Sequence, residues 1–264
     1  MTTAPGRPTF PGIPIITLLT DYGTADSYVG EVKGVLLSRV PGATLVDITH
    51  EIPPGDIAAG AYVLARTWGR FPAGTVHLVV IDPGVGGQRA AVAITAGGHG
   101  FVGPDNGLFG TLNGREGLRA VCLPVPEAAS HTFHGRDLFA PAAGALAADV
   151  PIAELGAGHS GALVPLPVAE PRYEGKVVIG EVIYVDRYGN LVTNLTTAVV
   201  PPYASLEIES LVVGPLRQTF SDVPVGGLVA YVGSGGFVEV AVRDGSAMRR
   251  TGLGVGGKVK ARLG

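Results

Sequence analysis

The segment HLVVIDPGVGGQRAAVAI, residues 77–94, holds two charged residues whose types and spacing suit catalysis. Asp82 follows one apolar run, and Arg89 stands directly before the start of the next. A carboxylate can accept a proton and a guanidinium can stabilise negative charge, so the pair could serve one pocket. The stretch is not typical of a phosphate-binding loop, because it lacks the Gly-Lys-Ser/Thr ending and leads into a strand. Its glycines suit a sharp reversal of the chain.

Two other segments carry polar residues of interest. In SHTFHGRDLFAPAAG two histidines, the second of which is His134, precede Arg136 and Asp137 at the start of an Ala-rich run. A helix start capped by Asp137 would explain the aspartate without chemistry, but it leaves His134 unexplained. In YVDRYGNLVTNL, residues 184–195, a Gly-Asn turn between two strands is an adequate structural explanation by itself.

The elements that must position these residues begin with three short, β-branched apolar runs. Residues 13–19, 44–48 and 76–81 are predicted buried strands, and the two segments between them have helical periodicity. This βαβαβ pattern predicts a three-layer α/β domain with a largely parallel sheet over residues 13–160. Asp26 and Asp56 stand where helix N-caps are expected.

Polar residues follow all three of these strands. They are Asp21 and Asp26 after the first, Asp47 and His50 after the second, and Asp82 after the third. A cap or a turn is an adequate explanation for any one of these aspartates. Ligands of open α/β sheets bind beyond the carboxyl ends of the strands, so three such ends in succession indicate a site there.

The remainder of the chain has a different pattern. Residues 161–175 are rich in Pro and Gly and predict a linker, and residues 1–12 predict a flexible tail. Over residues 176–264 short strand-like runs follow one another without helices, which predicts an all-β, barrel-like domain.

Composition narrows the class of protein. With 46% hydrophobic and 16% charged residues, the 264-residue chain can fill a sizeable core. Its net charge of −3 provides no basic field for nucleic acid. Cys122 is the single cysteine, so neither a disulfide nor a cysteine zinc site is expected. No apolar run resembles a signal peptide or a membrane span, so we expect a cytoplasmic protein.

Six segments, in their order along the chain, resemble motifs of the S-adenosylmethionine hydroxide adenosyltransferase family, which is related to the fluorinases and chlorinases. They are TDYGTADSYVGEVKG, VVIDPGVGGQR, FVGPDNGLF, TFHGRDLFAPAA, DRYGNLVTNL and VGSGGFVEVAV. The resemblance implies hydrolysis of S-adenosyl-L-methionine to adenosine and L-methionine. It also implies no cofactor, no metal, and a homotrimer with active sites at the subunit interfaces.

The resemblance also implies roles for individual residues. The catalytic Asp, Arg and His of the family fall on Asp82, Arg89 and His134. The aspartate that binds the ribose hydroxyls falls on Asp26, with Asp21 beside it in the same motif. The remaining substrate contacts are Asp186 and Asn190 for the methionine end, Tyr188 stacked on adenine, and Ser234 at the methionine carboxylate.

The chain departs from the halogenases of this group at four positions. It has Gly135 where they have the serine that binds halide, and His134 where they have an aromatic residue. Gly55 stands near the position of their tryptophan over the ribose, and Gly235 replaces an arginine. Gly135 and His134 predict that water, and not halide, is the nucleophile. Gly55 leaves nothing to stack on the ribose, and Gly235 predicts that the methionine carboxylate is held differently or by water.

Two other functions fit the residues. A metal-dependent phosphatase or hydrolase could use a histidine with the strand-end carboxylates Asp21, Asp26, Asp47 and Asp82. A non-catalytic trimer that binds adenosine or S-adenosylmethionine could keep the Asp, Arg and His for structure alone.

Overall fold

The computed structural model describes residues 12–209 and 211–264. The chain divides into two compact units, and the boundary falls between Pro167 and Val168. The predicted tail, residues 1–12, lies outside the described residues except for Gly12. Within the described ranges, none of the helices combines the length and the apolar character that crossing a bilayer demands.

The first unit is built on a seven-stranded sheet with the order β2-β1-β3-β5-β4-β6-β7. Its elements, in chain order, are β1 (Ile15–Thr20), α1 (Tyr28–Arg39), β2 (Thr44–Thr49), α2 (Ile57–Thr67), β3 (Val76–Val80), β4 (Ala91–Ala96), β5 (His99–Pro104), β6 (Arg119–Cys122), α3 (Ala140–Ala147) and β7 (Ala157–Gly158). A five-residue π-helical segment, Gly135–Phe139, leads directly into α3.

The sheet is mixed, so the expectation of a largely parallel sheet is wrong. Strands β2, β1, β3 and β5 are parallel, whereas β4, β6 and β7 pair antiparallel. The cause is the Gly97–Gly98 turn, in which both residues have positive φ, 56° and 80°. Glycines adopt this conformation without a steric penalty, so β4 and β5 form a tight hairpin instead of a crossover.

This arrangement determines where the loop after β3 must run. Strand β5 lies between β3 and β4 in the sheet. The chain therefore leaves β3, crosses over the carboxyl end of β5, and enters β4 on the far side. The loop that makes this crossing, residues 81–90, contains Asp82 and Arg89.

Helices pack on both faces of this sheet. Alternate residues of β1 and β3, such as Ile16 and Leu78, share one buried cluster with α1 and α3. On the other face Gly60 of α2 lies so close to Ile81 that an added Cβ would stand 2.8 Å from its Cδ1. Each fully buried Leu or Ile contributes roughly 1.5–3 kcal/mol relative to exposure, which makes these faces the main source of stability.

The two expected helix caps differ in outcome. Asp56 caps α2, where its side chain accepts the Ala59 N–H at 2.9 Å. The expectation for Asp26 is wrong, because Ser27 is the N-cap of α1 and makes no side-chain capping hydrogen bond. Helix α1 begins one residue later than the pattern of the sequence suggests.

The second unit contains the predicted β-barrel. Its elements are β8 (Arg172–Glu174), β9 (Val177–Val185), β10 (Leu191–Thr196), β11 (Ser205–Ile208), β12 (Leu211–Arg217), β13 (Leu228–Val232), β14 (Phe237–Val242), α4 (Ala247–Thr251) and β15 (Lys258–Arg262). The sheet order is β10-β14-β13-β12-β11-β15-β9-β8, and β10 also pairs with β9. This last pairing closes seven strands into a barrel, and among the described strands of this sheet only β8 lies at an edge.

Candidate active site

A cavity of about 450 Å³ opens in the first unit near the carboxyl ends of β1 and β3. Its volume is within the range of small-molecule sites, roughly 300–1,000 Å³. It is lined by Asp21, Tyr22, Tyr28, Glu31, Val80, Asp82, Val85, Ser130, Thr132, Phe133, His134, Gly135 and Arg136. This is the edge of the sheet at which the sequence predicts a site.

Asp82 and Arg89 form a bidentate ion pair across the loop after β3. Arg89 Nε lies 3.0 Å from Asp82 Oδ1, and Arg89 Nη2 lies 2.5 Å from Oδ2. Both side chains are buried, with 5% of the aspartate and 10% of the arginine exposed. A paired geometry of this kind fixes the orientation of both groups and is stronger than a neutral hydrogen bond.

Arg89 also contacts His134, which stands at the start of the π-helical segment. Arg89 Nη2 lies 2.8 Å from His134 Nδ1. A guanidinium has no acceptor, so Nδ1 must accept this hydrogen bond and the ring proton must be on Nε2. Burial, reinforced by the charge of Arg89, holds the pKa of His134 below its usual range, which keeps the ring neutral.

His134 Nε2 is a buried donor that has no hydrogen-bond partner in the described part of the chain. The residue is only 3% exposed, and Nε2 has no hydrogen-bond partner among the described residues. An unsatisfied buried polar atom is costly, so such an atom in a cavity wall indicates a bound polar group. A water molecule or the oxygen of a ligand would satisfy it.

The close approach of two loops brings these residues together. Gly86, in the loop after β3, has φ of +74°, and a Cβ there would lie 2.5 Å from the carbonyl oxygen of His131. Any other residue would therefore push the segment that carries His134 away from Asp82 and Arg89.

Asp21 and Asp26 have different positions. Asp21 lines the cavity, and its Oδ2 accepts the Gly55 N–H at 2.8 Å. Burial raises the pKa of Asp21, and the nearby Asp82 carboxylate adds to this, whereas the Gly55 N–H opposes it. Asp26 is exposed and is not among the lining residues. The structure thus places Asp21, and not Asp26, beside Asp82.

An aromatic wall belongs to the cavity and was not predicted. The rings of Tyr22, Tyr28 and Phe133 pack against one another, with centroids 5.3–6.1 Å apart. Arg136 covers Phe133 at 5.0 Å and pairs with Glu31 and Asp137. These residues occur in the same quoted motifs as Asp21 and His134, so their proximity in sequence was the available signal.

The hydroxyl of Tyr22 lies against Gly135, where no side chain stands in its way. A Cβ at Gly135 would lie 2.1 Å from the Tyr22 hydroxyl oxygen, which is far inside van der Waals contact. The phenol therefore occupies the space of a side chain at position 135. Burial, followed by the charges of Asp21 and Asp82, raises the pKa of Tyr22, so its hydroxyl remains a neutral donor.

In the second unit, Asp186, Tyr188 and Asn190 share the turn between β9 and β10. Asp186 Oδ1 accepts the backbone N–H groups of Tyr188 and Asn190, both at 2.9 Å, and Oδ2 accepts the Asn190 side-chain amide at 2.8 Å. Asp186 therefore organises the turn, which is the structural explanation available from the sequence. Tyr188 is 77% exposed, and Ser234 is exposed in the loop after β13.

A second cavity, of about 590 Å³, lies beside this turn. Tyr188 and Asn190 line it together with residues that no pattern of the sequence singles out. Those are Thr219, Phe220, Ser221, Val242, Arg243, Asp244 and Gly245. Asp186 and Ser234 are not among the lining residues.

The strand-end carboxylates do not gather into a metal site. Within residues 12–209 and 211–264 there is no group of three or more His, Cys, Asp or Glu side chains placed to hold a metal ion. Asp47 is engaged elsewhere, since its Oδ2 lies 2.6 Å from Lys33 Nζ. The Asp82 carboxylate is paired with Arg89 instead.

Comparison with known proteins finds one family that matches both units of the chain. The model of the SAM hydroxide adenosyltransferase N-terminal domain matches residues 16–156, and that of the C-terminal domain matches residues 180–260. The chain is 44% identical to the (R)-S-adenosyl-L-methionine hydrolase of Salinispora arenicola, over 89% of this chain and 92% of that protein. It is 42% identical to the enzyme of that name from Thermus thermophilus, over 93% and 98% respectively.

Two other matches are informative. A crystal structure of a conserved protein from Thermotoga maritima superposes with a TM-score of 0.85 at 32% identity, over 94% of this chain and 99% of that one. The fluorinase of an Actinoplanes species is more distant, at 28% identity over 87% of this chain and 91% of that enzyme. The chain is thus more similar to the hydrolases than to this halogenase.

Proposed function

The chain belongs to the SAM hydroxide adenosyltransferase family, and we propose that it hydrolyses S-adenosyl-L-methionine to adenosine and L-methionine. Its similarity to proteins named (R)-S-adenosyl-L-methionine hydrolase extends over about nine-tenths of the chain. The observation that carries the proposed mechanism is the hydrogen-bonded set of Asp82, Arg89 and His134, of which Asp82 and His134 line the cavity.

The difficult step of this reaction is the activation of the nucleophile. Sulfur departs from C5′ as a neutral thioether, so the leaving group needs no acid. Water has a pKa near 15.7 and attacks poorly without help. A water oxygen held about 3–3.5 Å from C5′ and opposite sulfur would form the C–O bond as the C–S bond breaks.

The tautomer of His134 gives different roles to His134 and Asp82, which both line the cavity. His134 Nδ1 is occupied by Arg89, so the ring offers only the Nε2–H to the water and orients its oxygen. Asp82 is then the proton acceptor, and its carboxylate receives the proton that water loses. General base assistance of this kind is worth about 10²–10⁴-fold in rate.

Arg89 makes this arrangement rigid. Its ion pair holds Asp82 in one orientation, and its positive charge favours negative charge that develops on the attacking oxygen. Because the pair is buried, it is weakly screened by solvent. Arg89 is not a lining residue, so it acts from behind Asp82 and His134.

Substrate binding is assigned to residues of both units, of which Asp21, Tyr188 and Asn190 line the cavities. Asp21 lies beside Asp82, and one carboxylate can accept hydrogen bonds from both hydroxyls of a ribose diol. Tyr188 has an exposed ring suited to stacking on adenine. Asp186, Asn190 and Ser234 remain assigned to the methionine end by the family resemblance.

The resemblance also motivates a cytoplasmic homotrimer in which the second-unit residues reach the site of a neighbouring subunit. Mixing two inactive variants, Asp82→Ala and Asn190→Ala, tests this arrangement. Mixed trimers should recover part of the activity, because some sites would combine two intact units. A protein that is monomeric by light scattering and fully active would contradict the trimeric arrangement.

The packing of Tyr22 against Gly135 supports water as the nucleophile. The phenol occupies the space in which a side chain at position 135 would stand. A serine that binds halide would have to displace the Tyr22 hydroxyl from this position. The hydroxyl and the His134 Nε2–H are both donors from which the oxygen of a bound water can accept.

Product analysis decides among the three candidate functions. The protein is incubated with S-adenosyl-L-methionine, with and without EDTA, and the products are separated by chromatography. Adenosine and methionine in equal amounts, formed also with EDTA, support hydrolysis. Activity that EDTA abolishes favours the metal-dependent hydrolase, and binding without turnover favours the non-catalytic trimer.

A further inference from the structure

We infer that Asn106 is a positioning residue for this reaction, which holds the loop of Asp82 and Arg89 at its beginning. The inference rests on the proposed function and adds a residue that neither contacts the cavity nor belongs to the catalytic set. Asn106 is the second residue after β5, in the segment PDNG, and is half-buried.

The position of Asn106 follows from the strand order. The loop leaves β3, crosses over the carboxyl end of β5 and enters β4. Residues that follow β5 therefore lie beneath the loop. Asn106 Nδ2 donates a 2.9 Å hydrogen bond to the Ile81 carbonyl, one residue before Asp82.

The neighbouring residue holds the other end of the same loop. The backbone N–H of Asp105 donates to the Ala90 carbonyl at 2.9 Å, one residue after Arg89. Two consecutive residues thus hold the peptide groups on either side of the Asp82 to Arg89 loop. This pair of contacts fixes the positions at which the loop of the two catalytic side chains begins and ends.

Asp105 is itself firmly anchored. Its Oδ1 accepts the Val164 N–H at 2.9 Å, and its Oδ2 lies 3.1 Å from His159 Nε2. The side chains of Asp105 and His159 are buried, with 4% and 10% exposed. A buried carboxylate with two partners provides a rigid base for the residue that follows it.

A displacement of the loop would affect catalysis more than binding. A misplacement of about 1 Å at reacting groups can cost about a hundredfold in rate. Asn106 is not among the residues that line the cavity, so removing its amide takes no contact from the substrate. The expected signature is a lower kcat with an almost unchanged KM.

Asn113 provides a matched control in the same unit. Its side-chain amide exchanges two hydrogen bonds with the backbone of Leu163, at 3.0 and 3.1 Å. It touches neither end of the loop. Asn113→Ala therefore removes a comparable amide clamp and tests whether a loss of stability alone lowers the rate.

The experiment compares Asn106→Ala, Asn106→Asp and Asn113→Ala with the wild-type chain, using purified protein and S-adenosyl-L-methionine. We expect kcat to fall about ten- to a hundredfold in Asn106→Ala, with KM within about twofold of wild type. Asn106→Asp should be at least as slow, because its carboxylate would face the Ile81 carbonyl without a proton to donate. Asn113→Ala should lower Tm but retain kcat.

Each result bears on one claim. A folded Asn106 variant with wild-type kcat, or one that loses activity through KM alone, would overturn the inference while leaving the proposed function intact. If neither Asn106 variant folds, as judged by circular dichroism and Tm, Asn106 is a folding residue and the inference also fails. A wild-type chain that releases no adenosine would overturn the proposed function itself.

Discussion

Arg89 donates a 2.8 Å hydrogen bond from Nη2 to Nδ1 of His134, and this contact fixes the histidine as a neutral ring that carries its proton on Nε2. The same guanidinium pairs with Asp82. Of the two groups that could accept a proton from water, only the carboxylate keeps a lone pair for it. This contact gives each of the three residues its own role. Asp82 is the base, His134 is the hydrogen-bond donor, and the charge of Arg89 orients both.

Loss of the Asp82 carboxylate should remove the proton acceptor. Asp82→Asn keeps the shape of the side chain but has little basicity, so we expect kcat to fall by about 10²–10⁴-fold. The rate of adenosine release under saturating substrate measures it. Near wild-type turnover would show that another group receives the proton.

The neutral state of His134 predicts the acid limb of the pH profile. Its pKa is lowered, first by burial and then by Arg89, so the active form persists as pH falls through the ordinary histidine value of 6.5. Below its own lowered pKa a proton on Nδ1 would face the Arg89 N–H, and kcat should drop. We expect an acid limb below pH 6.5 in wild type and in His131→Gln, which removes an exposed histidine nearby. If the acid limb disappears in His131→Gln, the limb reports His131 and not His134, which would contradict this prediction.

Asp21 and Asp26 form a natural pair for testing ribose binding. Asp21 lines the cavity and Asp26 is exposed. Asp21→Ala should raise KM about ten- to a hundredfold, which corresponds to the roughly 1.5–3 kcal/mol of hydrogen bonds to a charged group. Asp26→Ala should change KM by no more than about twofold. The opposite order, measured by steady-state kinetics, would restore the assignment that the sequence suggests.

The contact between Tyr22 and position 135 predicts a rescue. Gly135→Ser would place its Cβ 2.1 Å from the phenol oxygen, and overpacking of this kind costs about 1–3 kcal/mol. Hydrolysis should fall in the single variant and recover in Gly135→Ser with Tyr22→Phe, where the nearest ring carbon would be 3.1 Å away. Equal rates for the single and double variants would mean that the phenol does not restrict this position.

Two buried histidines predict a dependence of stability on pH. His77 Nε2 lies 3.1 Å from His99 Nδ1, and burial followed by the charge of His99 lowers the pKa of His77 to about 3. In the unfolded chain the value is near 6.5. The unfolded state therefore binds the extra proton, and the folded state loses stability as pH falls from about 6.5 towards about 3, by up to roughly 1.4 kcal/mol per pH unit.

Denaturant titrations between pH 7 and pH 4 measure this loss. His77→Gln should make the free energy of unfolding less dependent on pH, whereas His131→Gln, at an exposed position, should leave the slope unchanged. A wild-type slope that persists in His77→Gln would assign the acid sensitivity to other groups.

Much of the fold could be predicted from the periodicity of apolar residues. The predictions that are wrong concern the direction of single strands and the start of one helix. The strands that hold Ile16, Leu78 and the barrel residues carry continuous or alternating apolar patterns. The orientation of β4 could not be read from its apolar pattern, because parallel and antiparallel buried strands look alike. The Gly97–Gly98 pair is the signal in the sequence for a hairpin, because both residues have positive φ.

The site was predictable in type but less so in detail. Asp82, Arg89 and His134 stand out by their chemistry, and the structure brings them together through the close approach at Gly86. Nothing in the pattern of the motif ranks Asp21 above Asp26, because only the path of the loop into α1 decides which one faces the cavity. The support from Asn106 depends on strand order, which a linear motif does not reveal.

The origin of the 5′ oxygen tests the central claim most directly. The wild-type protein is incubated with S-adenosyl-L-methionine in water enriched in oxygen-18, and the products are analysed by mass spectrometry. Attack of water at C5′ predicts adenosine that carries one heavy oxygen, located by fragmentation on the ribose 5′ carbon, together with unlabelled methionine. Label in homoserine with release of 5′-methylthioadenosine, or label in methanol, would place the attack at another carbon and contradict the account.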